Sequence, residues 1–326
     1  MVLPSFLPHN YEANSGPAAP PRNYNETLQL APPAMSICLT GVMSAEGSCN
    51  VSRILSDGSK LHETIRYRVF RPRQLHMTPP PLIVLHGGPS VPCNYLLPLV
   101  NVITDRSIIF YDQIGCGRSS RPADKEAYSI SLAVDDLEAL LAKWNLSAYH
   151  LYGHSWGGIL AFEYLKRTRD SKCCSVILAS APTSVALVEV ESKRLLDKLV
   201  EQGDDDKRQA MERFRYKHEC QALPIPLNLL DAYAQAGKVW RGIEAIPGYV
   251  ASLDDQDAPL LPQPTFVIRG QDDFVTQACI DNWNKLFENT QTMVLAGCSH
   301  HALLENEQMV GDVISSFVVD HDPPSE

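Results

Sequence analysis

Basic side chains are scarce in this chain: 28 Lys and Arg stand against 38 Asp and Glu, a formal charge of -10. Nucleic-acid and anionic-membrane binding need the opposite balance on one face, so neither is expected as a partner. In the one basic cluster, HETIRYRVFRPR, Arg66 and Arg68 alternate with Ile65, Tyr67 and Val69, the pattern of a half-buried strand with its basic residues in water. No apolar run reaches the 18 or so residues that cross a bilayer, and the N-terminus lacks the basic-then-apolar order of a signal peptide. The expected location is cytoplasmic. C-x-x-C spacing is missing too: the nine cysteines are an odd number, scattered apart from the adjacent Cys173 and Cys174, which reads as reduced, buried cysteine rather than a disulfide or zinc framework. Neither H-E-x-x-H nor a paired-carboxylate motif occurs, so no metal is expected.

What is present is enough apolar residue, 44% of 326, to bury a large core. Residues 1–34 are rich in proline and without periodicity (LPSFLPHN, SGPAAPPR, APPA); they are expected to stay disordered and are set apart from the fold. From about residue 47, SCNVSRIL and ETIRYRVF read as a hairpin around SDGSK, and LIVLH, SIIFY, YHLYG and SVILAS as compact buried strands. Between them Val134, Leu137, Leu141 and Trp144 recur at helical spacing. Strand and helix in repetition predict an α/β fold, a mostly parallel sheet with helices on both faces. After Pro182 the pattern changes. Residues 185–258 are helical and charged, and strands resume only at TFVIRG and TMVLAG. The expected organisation is a core of residues 35–184 and 259–326, with 185–258 inserted after the sixth core strand as a helical cap over the sheet's C-terminal edge.

The chemistry centres on Gly153-His154-Ser155-Trp156-Gly157. In G-x-S-x-G a strand turns so sharply into a helix that the serine is held in a strained conformation above the sheet edge, with glycine needed on either side. The bland alternative is a serine that merely caps the helix. A serine hydroxyl needs a base to attack, and the base needs an acid to hold its tautomer. Both candidates follow later strands: Asp272 or Asp273 after TFVIRG, and His300 or His301 after TMVLAG. Amide donors are needed where negative charge develops on the attacked carbonyl; HGGP offers the N–H of Gly88, to join that of Trp156 after the nucleophile. Asp112 to Ser119, DQIGCGRS, reads as a structural loop bordering the site, with Cys116 a small filler. A carboxylate in place of Ser155 would be required for epoxide-hydrolase or dehalogenase chemistry.

HGGP, YDQIGCGRSS, GHSWGG, G-x-x-D and CSHHALLE, in this order, resemble the prolyl aminopeptidase (proline iminopeptidase) family of α/β-hydrolases, with its tricorn-interacting aminopeptidases and L-amino-acid amidases. The resemblance runs from about residue 46 to the end and implies an α/β-hydrolase fold, a helical cap and no cofactor. It selects Asp273, the fourth residue of G-x-x-D, as acid and His300, directly after the serine of C-S-H, as base, with Glu305 behind it. The implied substrate is a short peptide or small amino-acid amide with a free α-amino group. FRYKHECQ and VWRGIEAIPG echo the cap of the tricorn-interacting members, which hold that ammonium with glutamates. At the aligned positions this chain carries Gln209 and Gly248, leaving Glu212, Glu219 and Glu244 as nearby candidates for substrate binding. Ser90 replaces the family's glycine after HGGP. An esterase using the same triad is the second expectation, and a non-catalytic binding protein, which would usually have lost a triad member, the third.

Overall fold

The structure is a computed structural model that describes residues 41–73, 79–201, 207–253, 255 and 258–324; the proline-rich segment 1–34 lies outside the described residues. Eight strands, β1 (Val42–Ile54), β2 (Lys60–Pro72), β3 (Leu82–Leu85), β4 (Ile108–Asp112), β5 (Tyr149–His154), β6 (Cys173–Ala179), β7 (Thr265–Gly270) and β8 (Thr290–Leu295), form one sheet in the order β1-β2-β4-β3-β5-β6-β7-β8. β1 and β2 are antiparallel to each other, and β2 to β4; β3 to β8 are parallel. Strand order reverses at β3 and β5, where open α/β sheets leave a crevice beyond the carboxyl ends.

The helices among the described residues are α1 (Leu99–Val102), α2 (Ile130–Trp144), α3 (Trp156–Thr168), α4 (Val185–Glu201), α5 (Lys207–Phe214), α6 (Leu227–Ala234), α7 (Gln277–Ile280), α8 (Ala302–Glu305) and α9 (Glu307–Asp320). Central strands are mostly apolar because each side of the sheet is covered. In β3, Ile83 and Leu85 join the core under α2 and α3, with Val134, Leu137 and Ile159. Its alternate residues Leu82 and Val84 join the opposite core, with Leu99 of α1 and Ile314 and Phe317 of α9. Ser129 caps α2 by accepting from the Leu132 N–H at 3.1 Å, and Asn145 ends it in the left-handed region at φ 48°.

α4, α5 and α6 all fall between β6 and β7. The short α7 runs on into a 3-10 turn, Asp281–Lys285, which sinks Trp283 so that its indole donates to the Ala181 carbonyl at 2.8 Å. On β2 Arg66 is exposed as expected, while Arg68 on the same face is half-buried and its guanidinium donates to Asn94 Oδ1 at 3.0 Å. The eight cysteines among the described residues are unpaired, and all but Cys174 are buried. No described helix is long and apolar enough to cross a membrane.

Candidate active site

β5 ends at His154, and the chain reverses into α3 through Ser155, whose φ of 54° and ψ of -119° no ordinary L-residue prefers. Ser155 occupies the N-cap position, yet its side chain makes no capping bond. The turn is held instead by backbone: the Ser155 N–H donates to Ala179 at 2.8 Å and its carbonyl accepts from Gly158 at 3.0 Å. Gly157 lies against β3, where a Cβ would strike the Leu85 carbonyl; Gly153 faces the backbone of Gly157 and Gly158 just as closely. These contacts are why the motif requires glycine on both sides.

Asp273 and His300 come from the loops after β7 and β8. His300 Nδ1 donates to Asp273 Oδ1 at 2.9 Å, and the same oxygen accepts the Val275 N–H at 2.8 Å. Both side chains are buried. The neighbouring residues do other things: the Asp272 carboxylate meets Gln221 Nε2 at 3.4 Å, and His301 Nε2 pairs with the Tyr233 hydroxyl at 3.1 Å. The loop bearing His300 is pinned by Glu305, which accepts from the Ser299 N–H at 2.5 Å, from the Ser299 hydroxyl and from the Gln221 N–H at 2.7 Å.

Ser155 and His300 line one cavity of about 780 Å³, counted with its open mouth, together with Gly88, Glu219, Tyr233 and Arg241. Gly88 arrives from β3 at a φ of 120° that favours glycine. Trp156 opens α3, so its N–H has no partner within the helix; its indole donates to Gln113 Oε1 at 2.7 Å. Gln113 in turn donates to the His86 carbonyl at 3.0 Å, so the DQIGCG loop braces the HGGP turn, and Cys116 is fully buried within it.

The three candidate cap glutamates part company. Glu219 lines the cavity at the end of a five-residue π-helical turn, Arg215–Glu219, that follows α5. Its Oε1 is shielded from solvent and has no partner, and burial pushes its pKa up to about 7 against the opposing charges of Arg215 and His300. Glu212 and Glu244 lie elsewhere. Glu212 points outward from α5 with 64% of its side chain exposed and lies 3.7 Å from Arg208, one helical turn away. Glu244 is exposed on the turn Ile243–Ala245, and neither residue lines the cavity. Gln209 and Gly248 are exposed as well.

The profile of a family described as the alpha/beta hydrolase fold matches residues 80–307. The chain belongs to that family. Within it, this hydrolase-fold chain is 29% identical over 263 residues to the proline iminopeptidase of Thermoplasma volcanium, covering 73% of its own length and 88% of that protein. A shorter stretch of 119 residues, 36% of the chain and 41% of the relative, is 44% identical to the proline iminopeptidase of Heyndrickxia coagulans. Among solved structures, the proline iminopeptidase of Mycobacterium smegmatis superposes with a TM-score of 0.68 at 26% identity, over 83% of this chain and 98% of that one.

Sequence reasoning missed how His154 connects the hydrolase-fold elements. Its Nε2–H donates to the His300 carbonyl at 2.9 Å, and its Nδ1 accepts from the Tyr95 hydroxyl at 2.9 Å. Tyr95 itself accepts the Gly87 N–H at 2.8 Å. Burial pushes the His154 pKa down to about 3, so this imidazole stays neutral and joins the serine turn, the HGGP turn and the histidine loop. Its position inside G-x-S-x-G was visible; its partners, 59 and 146 residues away, were not. Tyr233 and Arg241 carried no pattern that pointed to the cavity.

Proposed function

We propose that the chain is a serine hydrolase of the proline iminopeptidase type, which removes an N-terminal residue from short peptides or hydrolyses amino-acid amides. The observation that carries this reading is the strained Ser155 opening on one cavity with His300, whose far nitrogen is bonded to Asp273. In this mechanism the neutral His300 imidazole takes the Ser155 proton through Nε2 as Ser155 Oγ attacks the carbonyl, while Asp273 fixes the tautomer and stabilises the imidazolium. The Gly88 and Trp156 N–H groups receive the oxyanion, a contribution of about 3 kcal/mol per donor in related sites. His300 then protonates the leaving amine, and water releases the acyl group by the reverse path. Glu219 is the group on the cavity wall suited to a free α-ammonium, because its carboxylate is unpaired and becomes ionised most readily beside a cation. The names of the relatives support the same class.

The exposed Gln209 and Gly248, which stand where the tricorn-interacting members carry glutamate, favour a second reading, in which the same triad acts on esters. A panel of prolyl and alanyl arylamides, their N-acetylated forms and matched esters decides between the two. Turnover of the free-amine amides, reduced at least about a thousand-fold in Ser155→Ala, is expected, with a fluorophosphonate probe labelling the wild type and not the variant. Unreduced turnover in Ser155→Ala would reject the serine mechanism; equal rates on free and acetylated amines would reject the aminopeptidase reading in favour of a general acyl hydrolase.

A further inference from the structure

Three polar atoms on the cavity wall lack a partner: Glu219 Oε1, His301 Nδ1 and Arg241 Nε. The first is accounted for above, and the second belongs to a neutral imidazole whose other nitrogen is paired with Tyr233. Arg241 is different, because a guanidinium keeps its charge under all ordinary conditions and presents a fork of donors. No carboxylate of the described residues forms an ion pair with it. Burial lowers its pKa, the signature of a cation drawn partly out of water without compensation.

The backbone that presents Arg241 is held from several sides. The Ser90 hydroxyl donates to the carbonyl of the preceding Trp240 at 2.5 Å, and the Trp240 indole donates to the Ala245 carbonyl at 2.9 Å. The same indole meets Trp156 edge-on at 5.0 Å and stacks on Tyr128 at 6.1 Å. This also gives Ser90 its use: its hydroxyl adds a side-chain bond, which a glycine could not make, between the segment carrying Arg241 and the turn carrying Gly88. A cation carried on a held stretch of backbone, with an unmet donor on the wall of a substrate cavity, is complementary to a planar anion, and a carboxylate matches a guanidinium with two parallel hydrogen bonds.

We infer that Arg241 is the subsite for the terminal carboxylate of a short peptide, making the cavity selective for substrates whose far end is a free acid. The inference rests on the proposed peptide reading for its choice of ligand, with Glu219 and Arg241 receiving the opposite charges of one zwitterion. Its length limit follows: a carboxylate received inside the cavity belongs to a peptide of very few residues, and a long chain would have none there.

The test is isothermal titration calorimetry on the full chain carrying Ser155→Ala, with alanyl-glycine, alanyl-glycinamide and aspartyl-glycinamide as probes. Alanyl-glycine is expected to bind about ten-fold more tightly than alanyl-glycinamide, and in Ser155→Ala/Arg241→Gln the two are expected to bind alike, with the amide unchanged. Arg241→Lys, which keeps the charge and removes the fork, is expected to retain part of the preference and covers the case in which the glutamine variant fails to fold. Equal binding of acid and amide in Ser155→Ala, no binding of either, or a parallel loss of both on changing Arg241 would overturn the inference. An Arg241-dependent preference for aspartyl-glycinamide instead would overturn it too, by assigning the subsite to an acidic side chain. Failure of the serine-hydrolase reading is distinct: alanyl-glycine would bind with its Arg241-dependent preference, yet wild-type protein would not cleave it.

Discussion

The cost of placing a carboxylate in an apolar cavity is concentrated on Glu219, whose pKa is pushed up to about 7. In the proposed function a substrate ammonium is held by the ionised form, and that form becomes more abundant as pH rises through 7. The KM for free-amine substrates is therefore expected to fall several-fold between pH 5.5 and 7.5 and to become flat in Glu219→Gln, with acetylated substrates showing no such trend. The same shift has a stability consequence of opposite sense. The folded pKa lies above the unfolded one, so the native state binds the extra proton and stability declines as pH rises between the two values. Glu219→Gln is expected to raise the melting temperature at pH 8, relieving at most about 3–4 kcal/mol, and to change little at pH 4; equal effects at both pH values would show that the carboxyl is not titrating there. Of the residues concerned, Ser155 was legible because glycines on either side announce a turn that little else requires. Glu219 could be named only as one of three cap glutamates, since its distinction from Glu212 and Glu244 is a matter of which way a π-helical turn directs it.

Among the elements, the antiparallel hairpin β1–β2 is joined to the parallel region by a buried ion pair. Arg53 of β1 donates to both oxygens of Asp136 on α2, at 2.9 and 2.6 Å, and through Nε to the Ala127 carbonyl at 3.0 Å. Both side chains are at most 5% exposed. Removing one partner leaves an unpaired charge in the interior, so Arg53→Met is expected to cost about 3–5 kcal/mol in denaturant unfolding, while the double replacement Arg53→Met/Asp136→Leu restores most of it. A double variant no better than the single would show that the loss lies in packing and not in the stranded carboxylate. The strands β3 to β7 were readable because burial on both faces leaves them almost no polar positions. Arg53 was not, for a lone basic residue in a strand reads as solvated until the helix carrying its partner is in place.

On the scale of the molecule, the cap is continuous with the core. Val185, Val188 and Leu199 of α4, Phe214 of α5 and Ile246 share one buried cluster with Trp156 of α3 and Phe274 of the loop after β7. Backbone bonds add to this: the Gly237 N–H donates to the Ser90 carbonyl at 2.8 Å, and the His301 N–H to the Glu219 carbonyl at 3.0 Å. Cap helices and central strands are accordingly expected to lose amide protection together in hydrogen exchange across a denaturant series; release of α4 at distinctly lower denaturant would show a cap that opens as a separate unit.

The amino-acid order alone determined the layered α/β fold, the helical insertion after the sixth strand and the turn that carries Ser155, because each is written in local terms: apolar runs, helical spacing and glycines flanking a serine. Folding in three dimensions decided which of two aspartates and two histidines bond to each other, which glutamate faces the cavity, and that an arginine without a counter-charge stands in its wall. Those choices depend on side chains far apart in the chain meeting in a space that water mostly leaves, where direction and partner, rather than residue type, set the energy.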